Sequence, residues 1–554
     1  MIKKLQIVFL LILFAFVFKE KIFAECIGTF PFDWEIKRIP VNSNLSLSIP
    51  LIDIPSGTTI TTSIIKKQQD TARANKFGTS GVQVFKDLQP GNLNTLKAAY
   101  QQSSPDITGA SMVEKHFAML ASQGIRWINL TYSWNSMETS KGNFKTSASD
   151  IVFRIAKKYG LNIIPNIHNA PTWAAGLTSC TDSPCKCIPN DISGQNGSQN
   201  YNDFLTMLVN RYKPHGGYYQ DNPNETDNGY GILNWVVWNE PDNTNPYFFA
   251  ECNQSGTPQN PAQIQKYSDL FKGAYSTIKN ADSNSKVIVA AFLNDANIMS
   301  FYQGLTNNGG HKPDILNFHN YASSEPAMRS AIIGFLYKKN NLLGETSKEV
   351  WVTEFSRVYD SSTGGDLQKI YLNEVFNLFD SLSGSKVAKA LWWPSKGYCT
   401  KDCTQGTDTS MALIEPNFFP RKSYYQLGIT LGTSTELPKV QTTSSTNLVN
   451  INIPASTFST QGEYIILLTS WNKIVINKPI AVYVGENPPT CSGTTPTPTP
   501  TLSCSQRLTG FTVEDFTIWK NEFKNPQSLL TADYNCSGKT NLSDFEILRN
   551  ALPR

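Results

Sequence analysis

The segment "ILNWVVWNE" at residues 232–240 is an apolar, aromatic run that ends directly in a carboxylate, Glu240. A run without polar alternation is typical of a strand that is buried on both faces of a parallel sheet. A second segment, "EVWVTEF" at 349–355, has the same construction and carries Glu354 near its end. In a barrel of parallel strands, the carboxyl ends of all strands surround one bowl-shaped depression. If both segments are strands of such a barrel, both glutamates lie in that depression.

Strand-like runs alternate with amphipathic segments throughout residues 77–435, and this alternation predicts a (β/α)8 TIM barrel of the α/β class. Helical spacing of apolar residues is clearest at 260–279. An open, doubly wound sheet is the alternative, but no glycine-rich phosphate loop follows the first run, which argues against a nucleotide-binding sheet. The eight strand-like runs are 81–85, 125–132, 161–168, 232–239, 286–293, 314–321, 349–355 and 387–393.

The charge and the amino terminus indicate an exported protein that does not bind nucleic acid. The net charge is only +4 over 554 residues, and no basic run interleaves with aromatic residues. Lys3 and Lys4 precede an apolar stretch at 7–18 and the small residue Ala24, which predicts a secretory signal over residues 1–24. A membrane anchor is the alternative, but twelve apolar residues fall short of the ~20 that span a bilayer. We therefore expect a secreted or cell-surface protein without a membrane segment after cleavage.

The ten cysteines are expected to form disulfides, because an exported chain enters an oxidising compartment. Cys399 and Cys403 are close enough in sequence to close one loop. A zinc site is the alternative, but it requires further ligands at regular spacing, and the five histidines are scattered. The pairing of the cysteines does not follow from the sequence.

The regions outside the barrel differ from it in composition. Residues 25–76 are rich in serine, threonine and isoleucine, which favours β structure. Residues 436–488 contain alternating strands separated by turn residues and predict a small β-sandwich. Residues 489–503 form a Pro/Thr linker of extended type. Residues 504–554 form a further module.

This last module contains an internal repeat and a calcium-type loop. "DFTIWKN" at 515–521 is repeated as "DFEILRN" at 544–550, and "DYNCSGKTNLSD" at 533–544 has the ligand spacing of an EF-hand. A solvated polar loop is the alternative, but oxygen-bearing residues at so many aligned positions favour calcium. The predicted ligands are Asp533, Asn535, Ser537, Lys539 through its backbone carbonyl, Asn541 and Asp544.

The module resembles a dockerin, the paired calcium-loop unit that attaches secreted polysaccharide-degrading enzymes to cohesin-bearing scaffold proteins. The resemblance implies a structural Ca²⁺ ion and a cohesin-like partner. Only the second copy is preceded by an intact loop, at 533–544, and this departure affects the docking prediction more than the calcium prediction.

The paired glutamates suit the cleavage of a glycosidic bond. That reaction needs a proton donor for the leaving oxygen and a second carboxylate that stabilises or attacks the cationic carbon. "WNEP" at 238–241 and "WVTEF" at 351–355 resemble the retaining glycoside hydrolases of clan A, nearest to family 39 or family 5. "GIRWINLTYSWNSME", "GLNIIPNIHNAPTWA", "DILNFHNY" and "FFPRKSYYQLG" agree with this resemblance, which covers about residues 77–431.

The resemblance implies a role for individual residues. Glu240 would be the general acid/base, and Glu354 would be the nucleophile. Asn239 would bind the sugar 2-hydroxyl, and Tyr321 would donate to Glu354. The further predicted substrate contacts are His168, His319, Trp134, Trp392 and Trp393, although alternation along the strand predicts that one of the last two faces the core. The alternative for both histidines is a structural role as buried, hydrogen-bonded side chains.

One position departs from the clan's pattern. Many members carry an arginine on the second strand that pairs with the nucleophile. Counting from Gly124, that position is Asn129 here, and the nearest arginine is Arg126, three residues earlier. Either the register is shifted or the nucleophile lacks this cation, and Asn129 is therefore retained as a candidate substrate contact.

The predicted function is a secreted, retaining β-glycoside hydrolase that acts through a covalent glycosyl-enzyme without a catalytic cofactor. The expected substrates are polysaccharides or oligosaccharides of the xylan, glucan or mannan type. The alternative is a catalytically impaired barrel that binds glycans on a calcium-dependent scaffold. A purely structural surface protein would explain the linker and the tail but not the two glutamates.

Overall fold

The structure is a computed structural model of the chain. The predicted signal segment, the predicted linker, the predicted dockerin-like module with its six expected calcium ligands, and all ten cysteines lie outside the residues that it describes. No helix among the described residues combines the length and the apolar character needed to cross a membrane. The described residues are 34–52, 54–68, 72–81, 84–88, 109–176, 188–194, 196–243, 261–307, 309–382, 384, 386–397, 410–416, 418–471, 473–476 and 479–485.

The strands of this part of the chain belong to a barrel and to a separate β domain. In chain order they are β1 (Glu35–Ile39), β2 (Leu45–Pro50), β3 (Thr59–Lys67), β4 (Phe77–Ser80), β5 (Trp127–Ser133), β6 (Glu138–Ser140), β7 (Asn143–Phe144), β8 (Asn162–His168), β9 (Asn234–Val237), β10 (Lys286–Val289), β11 (Ile315–His319), β12 (Glu349–Phe355), β13 (Val387–Trp392), β14 (Ser434–Glu436), β15 (Val440–Thr443), β16 (Leu448–Ile453), β17 (Gly462–Ser470), β18 (Lys473–Ile474) and β19 (Ile480–Val484).

The helices lie mainly between the barrel strands. In chain order they are α1 (Val84–Asp87), α2 (Gly109–Ser122), α3 (Trp134–Met137), α4 (Ser147–Lys158), α5 (Thr172–Ala175), α6 (Gln199–Tyr212), α7 (Gly217–Asp221), α8 (Pro261–Ala281), α9 (Asn297–Asn307), α10 (Glu325–Tyr337), α11 (Asp366–Ser381) and α12 (Lys422–Leu431). Short 3-10 helices lie at Ala72–Asn75 and Ala455–Phe458, and a π-helical turn at Lys338–Leu342 continues α10.

Eight parallel strands close into the predicted TIM barrel. Their order around the barrel is β4, β5, β8, β9, β10, β11, β12 and β13, which is also their order along the chain. Each neighbouring pair is parallel, and β13 closes the ring against β4. The α/β barrel predicted from alternating runs is therefore confirmed.

The first barrel strand is β4, and not the predicted run at 81–85. The predicted run contains the start of α1, and Gly81 already lies in the turn that leads into it. β4 reads "FGTS" and has no apolar alternation, because its inward position Gly78 must be small. A Cβ atom there would lie 2.4 Å from the carbonyl oxygen of Trp127.

The barrel interior changes from apolar to polar toward the carboxyl ends of the strands. Ile164, Ile315 and Trp351 belong to an apolar cluster that fills the lower interior. Two residues further along the same strands, alternation brings the buried polar side chains of Asn166, Asn317 and Thr353 inward. Outward-facing residues of the strands instead pack with the helices in the main core. The polar level forms the floor of the bowl in which the glutamates were predicted.

Segments from both sides of the barrel in sequence build one β domain. β3 pairs with β17, and β1 pairs with β19, within a seven-stranded mixed sheet that also contains β14, β15 and β18. β2 and β16 form a separate two-stranded antiparallel sheet. The division into an N-terminal segment at 25–76 and a separate β domain at 436–488 is therefore wrong in the described region, because strands from both segments pair with each other.

Strand alternation gives the large sheet two different apolar faces. On β17, Tyr464 and Ile466 belong to the cluster shared with the two-stranded sheet. Ile465 and Leu467, which point the other way, belong to the main core of the barrel and its helices. The period of two residues therefore places the β domain against the barrel on one face and completes its own core on the other.

Candidate active site

Glu240 lies in a sharp turn that follows β9. Trp238 and Glu240 have φ angles of +71° and +40°, a left-handed conformation that costs free energy for residues other than glycine. The turn interrupts strand alternation, so that Trp238 packs against Tyr201 on the helix side. Asn239 and Glu240 instead make their contacts with side chains of the barrel interior.

Asp242 holds this turn in place. Its Oδ1 accepts from the backbone N–H of Leu293 at 3.0 Å, and its Oδ2 accepts from the N–H of Asn294 and the side-chain amide of Asn297, each at 2.9 Å. Burial raises the pKa of Asp242, and these three donors act against that rise. Asp242 thereby connects the turn that carries Glu240 to the loop after β10.

The two predicted catalytic glutamates meet at one imidazole. Glu240 Oε1 lies 2.7 Å from His319 Nδ1, and Glu354 Oε2 lies 3.8 Å from the same nitrogen. One oxygen of each carboxylate and this nitrogen all lie within 4.8 Å of one another. All three side chains are buried. The sequence prediction that both glutamates occupy the same end of the barrel therefore agrees with the structure.

A chain of hydrogen bonds determines which nitrogen of His319 carries a proton. The backbone N–H of Phe318 donates to Asn317 Oδ1 at 2.9 Å, which identifies that atom as the amide oxygen. Thr353 Oγ1 donates to the same oxygen at 2.8 Å, so it must accept from His319 Nε2, also at 2.8 Å. Nε2 therefore carries a proton, and neutral His319 points the lone pair of Nδ1 at Glu240.

The contact between His319 and Glu240 then contains one shared proton. Either protonated Glu240 donates to Nδ1, or cationic His319 donates to the carboxylate of Glu240. Burial lowers the pKa of His319, but the negative charges of Glu354 and Glu240 outweigh burial and leave the pKa raised. The pair as a whole therefore retains its proton to a higher pH than an isolated histidine.

Tyr321 and Trp393 form the exposed rim next to Glu354. Tyr321 Oη donates to Glu354 Oε2 at 2.5 Å, as the sequence analysis predicted, and its ring lies edge-on to Trp393 with centroids 5.6 Å apart. Tyr321 is 37% exposed and Trp393 is half-buried. Beside Tyr321 opens a groove of about 420 Å³ lined by residues that include Ser323, Ser356, Arg357, Val358, Tyr359, Asp360, Leu367 and Met411.

Asn239 is oriented by a neighbour on β8. Asn166 Nδ2 donates to Asn239 Oδ1 at 2.7 Å, so the side-chain N–H group of Asn239, on the other side of the amide, does not contact Asn166. Within the described part of the chain, Asn239 Nδ2 makes no hydrogen bond. A donor next to Glu240 is therefore available to a ligand hydroxyl.

Two of the predicted substrate contacts lie in the core, and the structure contradicts their assignment. Trp392 is fully buried against Phe355, and its Nε1 donates to the carbonyl of Met411. Trp134 is also fully buried, and its Nε1 donates to Glu138 Oε2 at 2.7 Å. Neither ring has a face that a sugar could reach. Alternation along β13 correctly predicted that one of the two neighbouring tryptophans faces the core.

The remaining predicted contacts lie inside the barrel. His168 is buried at the end of β8, with its Nδ1 2.8 Å from Asn169 Oδ1. Asn129 points inward from β5, and its buried Nδ2 has no partner among the described residues. Arg126 precedes β5 at the opposite end of the barrel, where it donates to the carbonyl of Ile125. The register is therefore not shifted, and Arg126 does not replace the arginine of the clan.

Three residues of the site were not identified from the sequence. Asn317 and Thr353 fix the tautomer of His319, and Asn166 orients Asn239. Each is a buried polar residue in a strand made mainly of apolar residues. Two of them stand two positions before a predicted histidine, so counting every second residue back from His168 and His319 would have found Asn166 and Asn317.

Glu240, His319 and Glu354 could also offer three ligand atoms to a metal ion. A zinc ion at ~2.0–2.1 Å from each ligand would hold the ligand atoms ~3.3 Å apart in tetrahedral geometry. The observed separation of 2.7 Å between His319 Nδ1 and Glu240 Oε1 is instead that of a hydrogen bond. The arrangement in this structure is thus one that holds a proton between the two groups.

A family comparison identifies the part of the chain that contains this site. Residues 191–417 match the family model of the glycosyl hydrolase catalytic core. The matched range contains Glu240, His319, Tyr321 and Glu354. The chain therefore carries a glycosyl hydrolase catalytic core. No curated protein matches the sequence at a significant level.

Several solved structures are similar to the chain at low identity. A family 39 glycoside hydrolase from the gut symbiont Bacteroides cellulosilyticus WH2 is 11% identical, with a TM-score of 0.44 over 80% of this chain and 88% of that one. A monomeric β-xylosidase from Caulobacter crescentus CB15 is 12% identical, with a TM-score of 0.43 over 73% and 75%. A family 5 mannosidase from Rhizomucor miehei is 13% identical, with a TM-score of 0.41 over 64% and 92%.

Proposed function

We propose that this chain, which carries a glycosyl hydrolase catalytic core, is a secreted, retaining β-glycosidase that cleaves neutral polysaccharides or oligosaccharides. The observation that carries the proposal is the convergence of Glu240 and Glu354 on His319. Retaining enzymes hold their two carboxyl groups ~5–5.5 Å apart, whereas inverting enzymes need ~6.5–9.5 Å to admit a water molecule. An oxygen-to-oxygen separation within 4.8 Å supports the retaining geometry.

Glu240 acts in this proposal as the general acid and then as the general base. Its proton is shared with His319, whose Nδ1 lone pair disfavours the loss of that proton from the pair. The pair can therefore still deliver a proton to the leaving oxygen near neutral pH. Once the proton has left, Glu240 is a carboxylate and can take a proton from the water that attacks the intermediate.

Glu354 acts as the nucleophile. Its carboxylate must be ionised, and the hydroxyl of Tyr321 at 2.5 Å favours the charged form by donating a hydrogen bond to it. Attack on the anomeric carbon breaks its bond to the leaving oxygen, which departs with the proton from Glu240, and forms a covalent glycosyl-enzyme. Water then attacks from the face that the leaving group occupied and releases the Glu354 carboxylate, so the configuration is retained. Asn239, whose Oδ1 is already held by Asn166, would use its side-chain N–H group to donate to a hydroxyl of the sugar as the ring flattens in the transition state. No cofactor is needed for these steps.

The sequence outside the described residues completes the proposal. The signal-like residues 1–24 support export, and the loop at 533–544 supports a structural calcium site. The Pro/Thr sequence at 489–503 is of the type that links separate modules, and a cohesin-like scaffold protein would bind the dockerin-like module that follows it. Helix content of residues 504–554 that does not change on calcium addition, measured by circular dichroism, would contradict the calcium assignment.

The proposal is tested by the stereochemistry of the reaction. Hydrolysis of aryl β-xyloside, β-glucoside and β-mannoside should release a product that is first seen by NMR as the β anomer. Glu354→Gln should lower kcat by at least about 10³-fold, because it removes the nucleophile. Glu240→Gln should spare substrates with a good leaving group more than others, because these need less protonation.

Glu463→Gln provides the matched control, because Glu463 is an equally buried glutamate in the β domain. It should leave kcat/KM unchanged near pH 5. Release of the α anomer first would refute the retaining mechanism. Binding of oligosaccharides without turnover of any substrate would favour the alternative of a glycan-binding barrel.

A further inference from the structure

Trp471 is an exposed tryptophan that the proposed mechanism does not use. It lies in the turn between β17 and β18 and is 64% exposed, which makes it the most exposed large hydrophobic side chain of the described residues. Its indole N–H makes no hydrogen bond and its ring no aromatic contact within the described regions. A large apolar face that is left in water in this way commonly marks a binding surface.

The backbone at Trp471 is also unusual. Its φ angle is +46°, in the left-handed region where tight hairpin turns favour asparagine, aspartate or glycine. A bulky side chain at such a position is strained, and the contacts of Trp471 within the protein do not explain why it is a tryptophan. The turn projects the indole away from the sheet instead of packing it.

Trp471 forms one wall of a groove of about 570 Å³ on the β domain. Among the described residues, the others that line it are serine, threonine or glycine, and none of these is charged. Thr59 and Thr61 lie on β3, and Thr469 faces Thr61 across the pairing of β3 with β17. The side-chain hydroxyls of Ser56, Thr59 and Thr61 make no hydrogen bond to other described residues, so they can bind a ligand.

We infer that this groove, with Trp471 as its aromatic wall, binds a neutral glycan chain at a second site away from the catalytic bowl. A sugar ring offers one relatively apolar face and a rim of hydroxyls, and the groove offers an indole face and a row of free hydroxyls. The uncharged character of those lining residues that the structure describes matches an uncharged ligand. The choice of a glycan rests on the proposed function, because a barrel that cleaves glycans acts on the polymer that the groove would hold.

The experiment measures binding separately from hydrolysis. The full chain carrying Glu354→Gln, which should not degrade its ligand, is run in affinity gels that contain soluble xylan, mannan or mixed-linkage glucan. It is also mixed with insoluble cellulose. Addition of Trp471→Gly should weaken retention on at least one glycan by about tenfold, which is the effect expected for removal of one stacked aromatic side chain.

Several variants keep the result interpretable. Glycine accepts a positive φ angle, so Trp471→Gly removes the indole and relieves the backbone strain, and the variant should stay folded. Trp471→Tyr retains an aromatic face and should restore part of the binding. Tyr337→Ala is the matched control, because Tyr337 is 59% exposed on α10 of the barrel and lies outside the groove. This control should leave retention on every glycan unchanged.

The two proposals fail in different ways. Equal retention of the parent and the Trp471→Gly variant, or no retention of the parent on any glycan, would overturn the second site. In the active chain, Trp471→Gly should leave the hydrolysis of small aryl glycosides unchanged. Glycan binding that depends on Trp471 in a chain that hydrolyses no glycoside would keep the second site and refute the proposed function.

Discussion

Replacing Thr353 by valine would test whether the hydrogen-bond chain through His319 keeps a proton available at Glu240. Valine is similar in shape to threonine but lacks the hydroxyl that accepts from His319 Nε2 at 2.8 Å. Neutral His319 could then carry its proton on Nδ1, 2.7 Å from Glu240 Oε1, and donate it to the Glu240 carboxylate. The deprotonated state of Glu240, which cannot act as the acid, would thereby be stabilised.

The size of this effect follows from the type of hydrogen bond that is gained. A hydrogen bond to a charged group contributes about 1.5–3 kcal/mol, and 1.36 kcal/mol corresponds to about one pH unit. We therefore expect the basic limb of kcat/KM to move to lower pH by about one to two units. The measurement is the initial rate on an aryl β-glycoside between pH 4 and 10, at substrate concentrations well below KM.

Thr353→Ser is the matched control, because it retains the hydroxyl and loses only a methyl group. It should keep the basic limb within a few tenths of a pH unit of the wild type, and the lost methyl should cost about 1 kcal/mol of stability. The valine variant should also be destabilised, by about 1–3 kcal/mol, since one nitrogen of the buried His319 loses its partner. A basic limb that coincides in all three proteins would refute the reasoning about the tautomer.

Three further expectations concern single side chains. Tyr321→Phe keeps the ring against Trp393 but removes the hydroxyl that donates to Glu354, so kcat/KM for an aryl glycoside should fall about 10–100-fold with little change in the melting temperature; an unchanged kcat/KM would contradict this. Trp392→Ala should lower the free energy of unfolding by about 3–5 kcal/mol because Trp392 is fully buried, whereas Trp393→Ala should mainly raise KM. Denaturation curves and Michaelis plots of both variants distinguish the loss of stability from the loss of substrate binding. The reverse pattern would show that the tryptophans have been assigned wrongly. Burial raises the pKa of Glu463 from 4.5 to about 8, so the folded chain keeps a proton that the unfolded chain loses. The free energy of unfolding should therefore fall by up to about 5 kcal/mol as the pH rises from 4.5 to 8. Glu463→Gln should remove this fall in urea denaturation series, and an equal pH dependence in both proteins would disprove the burial effect.

The parts of the barrel that could be predicted from sequence are those in which one strand carries its own signal. β9 and β12 are buried on both faces, so they read as continuous apolar runs whatever they pair with. Glu240 and Glu354 stand at the ends of these runs, and the geometry of a parallel barrel is enough to bring them together. The prediction therefore needed no knowledge of distant contacts.

The parts that escaped prediction depend on a neighbour in space. β4 lacks apolar alternation because Gly78 must admit the backbone of Trp127, and only the register between the two strands shows this. Trp134 stands next to the polar residues of the predicted second strand, but it turns into the core with α3. Thr353 precedes Glu354 directly, and its role depends on an imidazole that is supplied by another strand.

The strand pairing within the β domain could not be predicted for the same reason, because the paired strands are even further apart in the sequence. β3 and β17 each show the apolar pattern of a strand, but about 400 residues separate residues that face each other, such as Thr62 and Leu468. The sequence of neither segment indicates which strand it pairs with. The assignment of 25–76 and 436–488 to separate units followed from reading each segment alone.

This discontinuous sheet has a consequence for folding during synthesis on the ribosome. β3 leaves the ribosome about 400 residues before β17, and at 5–20 residues per second the wait is about 20 to 80 s. During that time the first strands expose unpaired edges that could recruit other nascent chains. The sheet can close only after the barrel strands have been made. A fragment trimmed to residues 77–435 would not form a self-contained catalytic domain. It would lack the sheet face that covers part of its core, and β14 would be cut from β3.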